Sequence, residues 1–167
     1  RAALERHGLR ERTAALNAAA AALAREVAGE RAFVAGDIGP TGRILEPYGD
    51  FEESAARGAF EEQAQALAEA EVDFFIVETM SAIEEALVAV AAAAVTGLPV
   101  VASMAFDPKG RTAFGVSPKQ AAEGLGEAGA IVVGANCGTV SPAEMVEIIA
   151  EFRKATSLPL IAQPNAG

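Results

Sequence analysis

Five short apolar runs, each followed directly by turn or helix-start residues, constrain this chain more than any other feature. They are Phe33-Val34-Ala35, Phe74-Phe75-Ile76-Val77, Val100-Val101-Ala102, Ile131-Val132-Val133 and Leu160-Ile161-Ala162. None shows the apolar–polar alternation of a half-exposed strand, so they predict strands covered on both faces, as in a parallel sheet. Parallel neighbours need long crossovers, usually helices, and the intervening segments have helix signals. Ser141-Pro142-Ala143-Glu144 places Ser at the N-cap, Pro at the first helical position and Glu at the third, where Ser and Glu can satisfy each other's orphan amides. Ser117-Pro118-Lys119-Gln120 repeats this pattern, Ser81-Ala82-Ile83-Glu84 repeats it without Pro, and Asp50 with Glu53 is a further candidate. Arg12 to Val27 has helical composition ahead of the first strand.

Strand and helix therefore alternate, as in a doubly wound sheet or a (β/α) barrel. The dinucleotide fingerprint is absent, since Gly36-Asp37-Ile38-Gly39-Pro40 has the wrong spacing and Pro40 removes an amide. No Walker lysine follows a strand. An eight-stranded barrel takes roughly 250 residues, so 167 residues with five strands imply a barrel with strands missing. No linker or low-complexity tract interrupts the chain, and residues 1–167 are read as one continuous domain.

Composition narrows the chemistry. A chain that is 51% hydrophobic and 22% charged belongs to the globular class. Its net charge of -10 disfavours binding to nucleic acid, and no polybasic segment favours an anionic membrane surface. The uncharged stretch Ala86 to Phe106 is broken by Gly97-Leu98-Pro99 and is read as the end of a helix, a turn and a strand, not a membrane span. One cysteine cannot form an internal disulfide and no signal-like segment is present, so a cytoplasmic location is expected. One histidine, His7, excludes sites that need two imidazoles.

Working residues of (β/α) barrels lie at the C-terminal ends of strands. That places Asp37, Glu78, Ser103, Asn136, Cys137 and Asn165 around one mouth. Each also has a structural reading. Cys137 is either a small packed residue or a metal ligand, and Glu78 a solvated carboxylate or the receiver of a substrate ammonium. Asp37 and Asn136 can equally serve their own loops. Asp107-Pro108-Lys109-Gly110 fits a type I turn. Lys109, Lys119 and Lys154 end no strand, which argues against Schiff-base chemistry.

At Gly134-Ala135-Asn136-Cys137-Gly138 the sequence resembles the homocysteine S-methyltransferase family, with particular likeness to the homocysteine-binding module of its cobalamin-dependent branch. The likeness also runs through Val34-Ala35-Gly36-Asp37-Ile38-Gly39-Pro40-Thr41-Gly42, Val77-Glu78-Thr79-Met80, Ser103-Met104-Ala105-Phe106-Asp107 with Gly110-Arg111-Thr112, and Pro164-Asn165-Ala166-Gly167. The resemblance implies a (β/α)8 TIM barrel, here partial and lacking the first and last strands. It also implies methyl transfer to the thiol of homocysteine, giving methionine. By the same resemblance Cys137 is one of three thiolate ligands to Zn2+, the other two being a Gly-Gly-Cys-Cys pair not found in this chain. Glu78 would hold the substrate's amino group, and Asp37, Ser103, Asn136 and Asn165 would line the same mouth. The implied methyl donor is methylcobalamin on a corrinoid-binding module, with betaine or S-methylmethionine serving other branches. Two alternatives remain at this level: a non-catalytic piece of such an enzyme, or an unrelated barrel lyase with an accidental Asn-Cys match.

Overall fold

The computed structural model describes residues 2–166. Five strands, β1 (Ala35–Ile38), β2 (Phe74–Met80), β3 (Val100–Met104), β4 (Val132–Asn136) and β5 (Leu160–Gln163), form one sheet in sequential order. Every neighbouring pair is parallel. Two helices precede the sheet, α1 (Ala2–Glu5) and α2 (Thr13–Ala28). The crossovers are α3 (Glu53–Glu69), α4 (Ile83–Ala94), α5 (Pro118–Glu127) and α6 (Pro142–Ala155).

Sequential order decides between the two architectures left open by the alternation. A doubly wound sheet reverses its strand order and places helices on both faces. Here α3 packs on α4, α4 on α5 and α5 on α6, so the crossover helices form one continuous layer. This is the wall of a (β/α) barrel. The helix-facing side chains of the strands are sealed: Phe75, Val77, Ala102, Met104, Val133 and Ala135 are all fully buried. Helix α4 meets them with Ala86, Ala89, Val90 and Ala93, small residues that let its backbone lie close to the sheet.

The other face departs from expectation. Ile76, Val101 and Val132 stand in register across β2, β3 and β4 yet are only half-buried. Because every crossover lies on one side, the described residues place no layer over the concave side. The first strand also starts later than its apolar run, and Phe33 lies outside it, 82% exposed.

Helix starts divide in the same way. Ser117 and Ser141 form complete capping boxes with Gln120 and Glu144. The Ser81 and Asp50 boxes do not form: α4 is capped at Ala82 and α3 at Glu52, neither with a side-chain cap. Asp50 instead pairs with Arg43 at 2.9 Å. The turn at Asp107 closes as expected, with Gly110 N–H donating to Asp107 O at 2.9 Å. Among the described residues no helix is long and apolar enough to cross a membrane.

Candidate active site

The C-terminal ends of β2, β3 and β4 are joined by one buried side chain. Asn136 closes β4 and is 1% exposed. Its Oδ1 accepts from the Thr79 backbone N–H at 2.9 Å and from Ser103 Oγ at 2.8 Å. Its Nδ2 donates to Thr79 Oγ1 at 2.8 Å and to the sulfur of Cys137 at 3.3 Å. Thr79 Oγ1 in turn donates to Cys137 Sγ at 3.9 Å. Cys137 is half-buried, and its sulfur accepts from both neighbours.

Local backbone geometry makes this convergence possible. The β2–β3 ladder slips between Val77 and Met80, and Thr79 within that slip has φ 60°. A left-handed β-branched residue is rare and costs about 1–3 kcal/mol. The irregularity frees the Thr79 amide from the ladder, and Asn136 Oδ1 takes it up. Cys137 is also left-handed, with φ 47°, and its amide donates to Gln163 O at 3.0 Å. The chain then passes tightly over the β3 loop. Gly138 has φ 71°, and a Cβ there would lie 2.1 Å from Phe106 O.

The carboxylates form a second group. Asp37, on β1, and Glu78, on β2 directly before Thr79, both have carboxyls raised above the usual range. Burial is the cause for Asp37. For Glu78 burial comes first, and the charge of Asp37 adds to it. The mouth thus places two carboxylates on one side, Asp37 exposed and Glu78 half-buried, an arrangement suited to receiving a cation. Asn165, beyond β5, is exposed and donates to Gly138 O at 3.1 Å, tying the fifth strand end to the Cys137 loop.

The strand ends therefore gather Ser103, Asn136 and Cys137 into one bonded cluster, with Glu78 one residue from it, Asp37 coupled to Glu78 through charge, and Asn165 tied to the Cys137 loop. Sequence reading missed Thr79 as a site residue, although it lies beside Glu78; its contribution depends on a strand irregularity with no local sequence signature. It also missed Glu85, 5% exposed, whose Oε1 accepts from Thr41 N at 2.8 Å and Thr41 Oγ1 at 2.6 Å, fixing the loop after β1 to the first turn of α4. A cleft of about 280 Å³ opens beside Thr79, bounded by Pro40, Arg43, Ser81 and Phe114.

No group of three or more His, Cys, Asp or Glu able to hold a metal occurs among the described residues. What they offer is one soft sulfur donor, backed by an amide and a hydroxyl as a thiolate ligand's outer partners would be. The donor chemistry fits one ligand of a zinc–thiolate set, not a whole set.

Such a wall, with its polar cluster and thiol at the strand ends, defines a (β/α)-barrel domain with a thiol-bearing mouth. The chain belongs to the homocysteine S-methyltransferase family, whose model matches residues 1–167. It is 37% identical over 157 residues to betaine–homocysteine S-methyltransferase 1 of Sus scrofa, covering 90% of this chain and 55% of that protein. It is 40% identical over 124 residues to S-methylmethionine–homocysteine S-methyltransferase BHMT2 of Rattus norvegicus, covering 74% of this chain and 33% of that one. The chain thus spans less than two thirds of the length of these relatives. Its fold matches the metallated form of the homocysteine methyltransferase MmuM from Escherichia coli with a TM-score of 0.81 at 21% identity, covering 99% of this chain and 63% of that one.

Proposed function

We propose that this chain is the central part of the single homocysteine-binding barrel domain of a zinc-dependent homocysteine S-methyltransferase, and that the complete protein methylates the homocysteine sulfur to give methionine. One observation carries the reading. In a chain of this family, the one cysteine of the sequence is held at the strand ends as a hydrogen-bond acceptor from Asn136 and from Thr79, the residue after Glu78.

In this reading Cys137 is one thiolate ligand, and two further cysteines come from a Gly-Gly-Cys-Cys segment outside these 167 residues. Zinc bound by thiolates favours the ionised form of a coordinating thiol, which makes it a nucleophile at neutral pH. The chain's own residues orient the substrate. Glu78 receives its ammonium through a charge-assisted hydrogen bond, and Asp37 adds negative potential to the same side. Two carboxylates on one side give that binding its drive, since an arriving cation offsets the repulsion that the Asp37 charge exerts on Glu78. Ser103 and Asn136, both buried, hold the strand ends beneath the mouth, and Asn165 ties the Cys137 loop to the end of β5.

For the methyl donor, the relatives' names support betaine or S-methylmethionine, each of which carries its methyl on a positively charged onium centre, a quaternary ammonium in one and a sulfonium in the other. Methylcobalamin on a separate corrinoid module is the competing reading from the sequence resemblance. Supplying the complete protein and homocysteine with each donor in turn, and measuring methionine, separates them.

The primary test is metal content. The complete protein should hold about one zinc per chain, and Cys137→Ser should reduce that to a small fraction, since a three-thiolate site loses a ligand. Unchanged zinc in the variant would refute the assignment. The 167-residue chain alone, with one thiol and one imidazole, should bind zinc weakly and be inactive.

A further inference from the structure

Asn136 has no hydrogen-bonding capacity left for a ligand. A carboxamide has two acceptor positions and two donor hydrogens, and all four are engaged by Thr79 N, Ser103 Oγ, Thr79 Oγ1 and Cys137 Sγ. Its orientation is fixed by chemistry. A backbone N–H can only donate, so the oxygen must face Thr79, which turns the NH2 group toward the sulfur. Ser103, 1% exposed, holds that oxygen from the other side.

We infer that Asn136 is a positioning residue: its amide aims the Cys137 sulfur and clamps the left-handed Thr79, so that the ends of β2, β3 and β4 keep one mutual geometry. The catalytic purpose of that role rests on the reading of Cys137 as a ligand, because a ligating sulfur gains from a fixed lone-pair direction. It also gives the strained backbone at Thr79 a purpose. With φ 60° the residue presents both its amide and its hydroxyl to one partner, which a regular strand could not do. Two strand ends that are not hydrogen-bonded neighbours in the sheet are thereby cross-linked by a side chain.

The test uses the complete protein freed of metal, with iodoacetamide as probe and peptide mass spectrometry reading alkylation at Cys137 alone. Asn136→Asp keeps the oxygen that serves Thr79 and Ser103 and replaces the donor facing the sulfur with a second, charged oxygen. Alkylation at neutral pH should fall roughly tenfold or more, while the Thr79 amide stays protected from hydrogen exchange. Asn136→Ala should lose both the rate and the protection. A residue that merely fills space would let Asn136→Leu, which keeps the volume without the bonds or a new charge, alkylate within about twofold of the parent, and that result overturns the inference. Should the Asp variant fail to fold by circular dichroism, Ser103→Ala carries the test. It removes one of the three bonds that orient the amide, leaves the groups at the sulfur in place and should slow alkylation about threefold; an unchanged rate overturns the proposal equally. Zinc content of the parent protein is measured separately. A parent without zinc that still shows these rates removes the metal reading and leaves the positioning role standing.

Discussion

The two faces of this sheet obey different rules. Against the helices the strands are regular, apolar and dry, with Phe75, Val77, Met104 and Val133 fully buried. At the mouth β2 slips register against β3, Thr79 and Cys137 are left-handed, and the Asp37 and Glu78 carboxyls are raised above the usual range. Stability is concentrated on the convex side, whereas the mouth costs stability in exchange for a defined geometry. Sites that store strain and imperfect solvation are common where proteins bind and react.

This contrast can be broken by mutation. The largest effect belongs to the convex core. Phe152 packs edge-on against Phe106 with ring centroids 5.8 Å apart, and it is fully buried. Phe152→Ala should cost about 3–5 kcal/mol in a urea unfolding titration. A loss below ~1 kcal/mol would show that the helix-facing layer is not the stabilising one.

Next comes Gly138→Ala, which forces a Cβ to within 2.1 Å of Phe106 O in a left-handed conformation. The displaced loop should cost about 1–3 kcal/mol and disturb Cys137, read as slower alkylation. An unaltered melting temperature and rate would mean that the Cys137 loop is not held by that contact.

The smallest effect sharpens the comparison because it runs the opposite way. Glu78 has a folded-state carboxyl raised above its unfolded value, so the folded protein binds that proton more tightly. Its contribution to stability is present in full below the ordinary carboxylate range and is lost as pH rises through the folded value. Glu78→Gln removes that loss. The variant should melt at or slightly above the parent at pH 7, with the difference vanishing in acid, while the KM of the complete enzyme for homocysteine rises roughly tenfold or more. A variant that melts lower at pH 7 than in acid, relative to the parent, would reverse the sign and place Glu78 among the stabilising groups.

Elements whose interactions close within a few residues were readable from the chain itself. The boxes at Ser117 and Ser141 need only a partner three positions away, and a Pro at the first helical position holds the backbone ready. Ser81 and Asp50 offered the same spacing without that proline, and other partners or another boundary won. The location of Glu78, Ser103, Asn136 and Cys137 at strand ends was equally legible, because apolar runs mark where strands stop. What those residues do to one another was not. The Thr79–Asn136 bonds join positions 57 apart, and the Thr41–Glu85 bonds span 44.

By itself, the order of residues determined the alternation of strand and helix, two of the helix starts, the family likeness and the ring of candidate groups, all of which follow from hydrophobic period and short-range hydrogen bonding. Tertiary structure alone decided that the helices share one face, that β2 slips at Glu78-Thr79, that two carboxylates crowd each other, and that an amide is spent on a sulfur. Those outcomes depend on which distant strand ends are brought side by side, and a register between strands is fixed only when the whole sheet assembles.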